Sequence, residues 1–435
     1  MNLFVVILAI IAIYTVIASY LYHTKRWEEH ITFYGPIIGI KTDKTSFFDW
    51  FKNQSRFWRI YGTIGVFLVI IVSISMAVML LFALQATIIL QPEPTGIYEP
   101  RNFIALPYIN EFIPPTIAFW IALIITLIVH EFGHGILCRV ENIKVKSIGV
   151  LVAVIPIGAF VEPDEKEVDE APSRAKMRMY GAGIMNNVVI GVICFVLMVG
   201  LLSYAGPTTQ PAILGMYEGY PAEKAGVPPI SLIYSIDGMD VSSREEVSAH
   251  LNTTKPGDTI RLTVENNGNL LSYPLVLSEW PEEMQSSDSG FMGVYYYDGQ
   301  LISDEMHKLL TPIGILYMTA LPAIAYYSEG MHPLQILISE TPLTSFYQVP
   351  FPGFWIVINI LFWCGWFNII VGTFNALPMV PLDGGLIFKE GAERFLNRYG
   401  YERYTLYVTG FVSWLILVML LSIIILPYVF KMVQA

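Results

Sequence analysis

The hydrophobic positions fall into six long runs, at 3–22, 62–90, 116–138, 183–204, 354–374 and 406–430. Each reaches the roughly 20 apolar residues a helix needs to cross a bilayer, so the pattern predicts six transmembrane helices with both termini on one side. A further apolar segment, 309–327, contains Pro312 and Pro322, and 328–352 beyond it holds no Lys or Arg. That segment is expected to lie at the outer interface rather than to cross. Over 44–58 the rings of Phe47, Phe48, Trp50, Phe51 and Trp58 mix with Asp49, Lys52 and Arg56, as in an interfacial helix. From 144 to 161 the branched residues Val145, Ile148, Val150, Val152, Val154, Ile155 and Ile157 predict a short β-hairpin dipping towards the membrane, with Pro156 and Gly158 as turn signals. Such backbone is tolerated at membrane depth only under protein or in a wet cavity. Between 207 and 277, charged residues and turn pairs such as Asp237-Gly238 and Pro256-Gly257 mark a soluble, β-rich insertion.

Composition agrees with that reading: 54% of the 435 residues are hydrophobic and 14% charged, with a mean hydropathy of +0.55. The formal net charge of -11 says little, because orientation follows the placement of Lys and Arg in short loops. Lys25, Arg26, Lys41, Lys44, Lys52, Arg56 and Arg59 crowd the first loop, whereas 91–115 holds only Arg101. The loops at 139–178 and 389–403 are basic too, so these three are expected in the cytoplasm and the 207–277 insertion outside. The first run has no positive residue before its apolar core, the charge order of an uncleaved anchor. Cys138, Cys194 and Cys364 lie in or beside apolar segments and suggest no disulfide framework. No basic run suggests a nucleic-acid partner.

Candidate chemistry sits at the end of the third run, where His130, Glu131, Phe132, Gly133 and His134 close the apolar stretch. At helical spacing the two imidazoles stack one turn apart on one face and can grip one zinc ion. Glu131 then stands beside the ion, where a general base is needed to deprotonate an attacking water. Satisfied core histidines are the plainer alternative, but ionisable groups inside an apolar helix are costly and mark function by default. Two histidines and a water leave a tetrahedral site one ligand short. Asp383, in the segment from Asn375 through Pro378 and Pro381 to Gly384 and Gly385, can supply a carboxylate, the glycines allowing an unusual backbone. Taken alone, an Asp-Gly after a membrane span reads first as a plain cytoplasmic turn. His23, His30, His250, His307 and His332 have no matching partners and read as surface or interface residues.

Two resemblances narrow these readings. The order Tyr220-Pro221-Ala222-Glu223-Lys224-Ala225-Gly226, then Ile236-Asp237-Gly238, then Lys255-Pro256-Gly257-Asp258 resembles a PDZ domain of the protease-associated kind. The resemblance implies a groove that takes a peptide, often a C-terminus, as an added strand. HEFGH at the end of one apolar helix and N-x-x-P-x-x-x-L-D-G at the end of a later one together look like the site-2 protease family of intramembrane zinc proteases. That resemblance implies one Zn2+ per chain held by His130, His134 and Asp383, with Glu131 as catalytic base and Asn375 holding substrate backbone. Gly183 to Asn187 fits the family's G-x-x-x-N element and nominates Asn187 as a second substrate-facing group.

The fold class expected is therefore a polytopic α-helical membrane protein of about six transmembrane helices, with a short membrane-associated β-hairpin and an inserted extracytoplasmic PDZ-like α+β domain. The expected divisions are 1–92 for two N-terminal helices with a cytoplasmic interfacial segment and 108–206 for the first half of the catalytic core. The PDZ-like domain follows at 207–280, an extracytoplasmic linker at 281–352, and the second half of the core at 353–435. The function expected is hydrolysis of peptide bonds in or near transmembrane segments of membrane-anchored proteins in the lipid bilayer of the cell membrane, with the active site near the cytoplasmic side. The alternative is a non-catalytic zinc-binding adaptor that recruits partners through its PDZ-like domain; Glu131, which a structural site does not need, speaks against it. A metal transporter is disfavoured because the polar residues cluster at one leaflet instead of tracing a path across.

Overall fold

The computed structural model describes residues 3–434 apart from 26, 209, 267, 283, 285–286, 299–307 and 329–331, with side chains from Leu8 onward. Arg26 and His307, named above, lie outside the described residues. The chain forms two compact units, one of residues 1–103, 120–192 and 367–435 and one of 104–119 and 193–366.

The long helices on which the first unit draws are α1 (Leu3–Thr24), α2 (Ser55–Leu90), α3 (Ile117–Val140), α4 (Ser173–Leu202), α5 (Phe354–Asn375), α6 (Asp383–Arg398) and α7 (Thr405–Gln434). Among the described residues five helices, α2 to α5 and α7, are long and apolar enough to cross a membrane. The sixth expected span has its counterpart in α1, whose described apolar part, Leu8–Thr24, is shorter. α2 runs for 36 residues until Gln91 turns left-handed at φ 43°, and its apolar flank, including Ile71, Phe82 and Leu90, is exposed. Apolar surface on that scale belongs against lipid.

The expected interfacial helix is a 3-10 helix, Ser46–Gln54, that runs straight into α2 instead of standing apart from it. Its Asp49 takes a two-pronged hydrogen bond from Arg139 at the end of α3, at 2.9 and 2.8 Å. The hairpin expected at 144–161 is present as β3 (Val145–Ala153) and β4 (Ile155–Pro163). The turn, however, is at Val154, which takes φ 71°. Pro156 and Gly158 lie inside β4, where proline is tolerated because β4 is an edge strand. Two strands from the first loop extend this hairpin: β1 (Ile31–Tyr34) and β2 (Ile37–Thr42) complete an antiparallel sheet in the order β1-β2-β3-β4.

In the second unit a six-stranded sheet runs β8 (Asn269–Val276), β7 (Thr259–Asn266), β6 (Ser231–Ile236), β5 (Ala212–Met216), β9 (Val294–Tyr297), with Met239–Asp240 pairing to β6. Alternate residues Ile260, Leu262 and Val264 of β7 and Ile213 of β5 are buried against Val247 and Leu251 of the helix Arg244–Leu251. This is the PDZ-like domain, and its boundary needs correcting. β9 pairs with β5 from Val294 opposite Met216 to Tyr297 opposite Ala212, and Met292 and Val294 lie in the domain's core. The domain therefore extends to about residue 297 rather than 280, and the expected linker begins after it. Polar residues 285–290 hide the connection in the sequence; the strand is short and is entered through Gly293 at φ 77°.

The 309–327 segment forms the helix Pro312–Tyr327, 16 residues with Pro322 inside, too short to span. Met318 and Leu321 are fully buried, and Trp366 Nε1 donates to the Thr319 carbonyl at 2.8 Å.

Candidate metal centre

The last three turns of α3 carry His130, Glu131 and His134, and the two imidazole rings lie against α4. They fit only because Gly183 on α4 has no side chain: a Cβ there would lie 2.5 Å from His134 Nε2 and 2.8 Å from His130 Cε1. Gly133 allows the same closeness from the other side, since a Cβ on it would meet the Ala182 carbonyl at 2.5 Å. The two glycines, one on each helix, let the metal helix and its neighbour touch at the backbone.

Asp383 reaches the pair from the opposite end of the sequence. After α5 ends at Asn375, the chain turns through Pro378 and Pro381, the latter preceded by a cis peptide, and Asp383 opens α6. Gly384 and Gly385 are helical, not of unusual backbone as expected from the sequence. They are required for close approach, because a Cβ on either would collide with the backbone of Ala376 and Leu377 or of Met379 and Val380. A carboxylate at the first position of a helix also faces the positive end of its dipole.

His130 Nε2 lies 3.2 Å from His134 Nε2 and 3.2 Å from Asp383 Oδ2, and His134 Nε2 lies 3.3 Å from the same oxygen. In a tetrahedral zinc site with bonds of about 2.0–2.1 Å, neighbouring ligand atoms stand about 3.3–3.4 Å apart, so this nearly equilateral triangle has the dimensions zinc requires. Asp383 Oδ2 is buried and makes no directed hydrogen bond within the triangle, as suits an atom whose lone pair is kept for a cation. Burial by itself would raise the Asp383 carboxyl, but the His134 and His130 imidazoles outweigh it and hold it well below the usual carboxylate range.

The far side of each imidazole is also held. His134 Nδ1 lies 2.9 Å from the Met179 carbonyl, which fixes it as the protonated nitrogen and leaves Nε2 free. His130 Nδ1 lies 3.2 Å from the Asn187 amide nitrogen, while Asn187 Oδ1 is buried without a partner. Exchanging the two ends of that amide, which differ little in shape, gives Oδ1 the Nδ1–H donor. Asn187 is fully buried, so its contact is with a ring and not with open space. Its neighbour Asn186 was not singled out in the sequence, yet it accepts from Tyr61 at 2.8 Å and donates to the Val129 carbonyl at 3.0 Å, tying α2, α3 and α4 together.

Glu131 is turned away from the triangle, its Oε2 accepting the Val161 N–H of β4 at 2.9 Å. Asn375 lines a cavity of about 270 Å³ together with Glu131, Val161 and the three triangle residues. Every candidate residue named from the sequence is thus brought to one place. What the sequence did not reveal are backbone groups, the Met179 carbonyl and the Val161 N–H, for which residue identity carries no signal.

A second candidate site lies in the PDZ-like domain. A cavity of about 580 Å³ runs between β9 and the helix Arg244–Leu251, lined by Leu214, Ser248, Leu251, Phe291, Val294 and Tyr296. Ser248 and Tyr296 bridge it through their hydroxyls at 3.0 Å.

The model of peptidase family M50 matches residues 118–420. An uncharacterised protein of Methanocaldococcus jannaschii is 24% identical over 400 residues, which cover 90% of this chain and 89% of the relative. The zinc metalloprotease RasP of Shouchella clausii is 24% identical over 267 residues, 55% of this chain and 60% of that one. A membrane-bound transcription factor site-2 protease homolog of Arabidopsis thaliana is 35% identical over 74 residues, covering 17% and 14%. Among solved structures, the PDZ domain of an SdrC-like protein from Listeria monocytogenes matches 22% of this chain and 93% of its own, at 16% identity and a TM-score of 0.19. With the family match covering more than half of its length and taking in both halves of the triangle, the chain belongs to peptidase family M50, as an integral membrane metalloprotease of the site-2 type.

Proposed function

We propose that this protein hydrolyses peptide bonds within or beside transmembrane segments of membrane-anchored proteins, with one zinc ion per chain held by His130, His134 and Asp383. The observation that carries the reading is the 3.2–3.3 Å triangle with a further carboxylate, Glu131, on the adjoining position of the same helix. The ion, when bound, supplies a Lewis acid that polarises the scissile carbonyl and acidifies water. Glu131 takes the proton of the attacking water and returns it to the leaving amine. Asn375 holds the substrate backbone at the cavity wall, and Asn187 fixes the His130 ring.

The substrate reaches this site extended, because the carbonyls of an intact helix are shielded by their own hydrogen bonds. β4 is an edge strand of its sheet, and the Val161 N–H points outward from it to Glu131. Ladder alternation turns the N–H and C=O of Ala159 the same way. A substrate strand added here takes the Val161 N–H with its own carbonyl and releases Glu131 towards the reacting centre.

Six spans, with α1 as the first and both termini outside, put the metal centre and the β1 to β4 sheet near the cytoplasmic face of the cell membrane and the PDZ-like domain outside it. The PDZ-like groove then filters or tethers substrates, taking a peptide, often a C-terminus, along β9. The proposed division of the chain keeps two N-terminal helices, a core in two halves and the inserted domain, now ending near residue 297.

Metal content of the purified protein tests the centre without any substrate. About one zinc per chain is expected, weakened in both His134→Ala and Asp383→Ala, whereas Glu131→Gln keeps the zinc and loses cleavage by at least about a hundredfold. No zinc after reloading, or full cleavage by Glu131→Gln, refutes the reading.

A further inference from the structure

We propose that a second cavity, on the other side of Glu131, is the subsite that receives a large apolar side chain of the substrate within two residues of the scissile bond. This rests on the protease reading above. The cavity, about 450 Å³, lies between the sheet and α3. Its floor is two cross-strand rows. Thr42, Ile148 and Val161 stand in register across β2, β3 and β4, and Ile40, Val150 and Ala159 form the next row. The facing wall is one stripe of α3, positions 128, 131 and 132, which share a helical face.

Three features point to a substrate side chain as the occupant. Glu131 and Val161 line both this cavity and the metal centre, so the two are continuous through the base itself. Both rows also end on one side at β4, an edge strand. A strand added there continues each row by one residue, because side chains of paired strands stack in register. The residue opposite Val161 or Ala159 therefore directs its side chain onto this floor. Finally, one of the two rows ends at that edge in Ala159, the smallest side chain of the six, which leaves the space that an incoming large residue fills. Lys41, Thr42 and Glu131 bring polar groups into its lining, so the preference expected for an apolar side chain is one against water, since against lipid alone no hydrophobic preference would arise.

The probe is a set of synthetic single-span peptides in proteoliposomes with the zinc-loaded full-length protein. The peptides differ by Ala, Leu, Phe or Asp at one position at a time, and cleavage is followed by mass spectrometry. One position within two residues of the cut bond is expected to favour Leu or Phe over Ala by about tenfold, the discrimination that an apolar pocket delivers. Ala159→Phe should bring that ratio close to one, and Ile148→Ala, which enlarges the floor, should move the preference from Leu to Phe. Zinc content and melting temperature of both variants verify that the centre and fold are intact. Cleavage by the native protein without any apolar preference near the bond overturns the subsite alone, as do ratios unchanged in both variants. Absence of cleavage by the zinc-loaded native protein overturns the protease reading and the subsite with it.

Discussion

Gly183→Ala tests whether the metal centre depends on the contact between α3 and α4. The added Cβ would stand 2.5 Å from His134 Nε2 and 2.8 Å from both His130 Cε1 and His134 Cε1. Non-bonded heavy atoms settle at about 3.5–4.0 Å, so the His134 ring must retreat by about 1 Å, while metal–ligand distances tolerate only about 0.2 Å. Moving α4 away instead forfeits the close backbone contact between Gly133 and the Ala182 carbonyl. Losing one of three protein ligands should cost more than the ten- to hundredfold typical of an outer partner, so zinc affinity is expected to fall by at least about a hundredfold, or about 2.7 kcal/mol. Competition with a chromogenic chelator in detergent measures it. Gly200→Ala, on the same helix, is the control: nothing lies within 4 Å of its Cβ, and replacing a helical glycine should if anything stabilise, by about 0.5–1 kcal/mol. A folded Gly183→Ala protein binding zinc within threefold of the native would refute the argument.

Three other substitutions separate the parts of the site. Asn187→Leu leaves the His130 Nδ1–H without an acceptor and should weaken zinc about ten- to hundredfold; Asn187→Asp, which keeps an acceptor, should stay much closer to native in the same competition assay, and equal losses would disprove the assigned amide orientation. Val161→Pro removes the edge N–H without touching a ligand, so turnover should fall about tenfold or more with zinc content intact; unchanged turnover of a membrane-embedded peptide would exclude strand addition at β4. A fragment ending at residue 280 lacks β9 and exposes the surface covered by Met292 and Val294, a loss of about 3–6 kcal/mol at 1.5–3 per buried side chain, whereas a fragment ending at 298 should fold. Amide dispersion in NMR spectra decides this, and a well-dispersed shorter fragment would contradict the corrected boundary.

How far the sequence reached follows from what kind of atom each part of the site uses. The proposed ligands and base are side chains whose chemistry is their identity, and the two motifs carrying them are intact, so His130, Glu131, His134 and Asp383 could be named before any fold was known. The groups that orient them are of two less legible kinds. Met179 and Val161 act through a carbonyl and an N–H that every residue except proline possesses, so no residue type marks them. Gly183, Gly384 and Gly385 act by what they lack. The sequence shows that glycines are present, but whether a glycine serves a turn or a close approach depends on what comes within 4 Å, and here helical backbone meets backbone and imidazole. The same limit explains the strands. The hairpin at β3 and β4 is legible because its branched residues are continuous, while β1 and β2 are short and lie in a charge-rich loop where the positive-inside pattern dominates. β9 is as short as β1, and only its register with β5 makes Tyr295 and Tyr296 part of a groove rather than of a linker. Composition thus marks elements that bury their own faces, whereas edge strands are defined by the partner they pair with. Both proposed substrate surfaces, β4 and β9, are edges, and an edge left open in the free protein is what a peptide can complete.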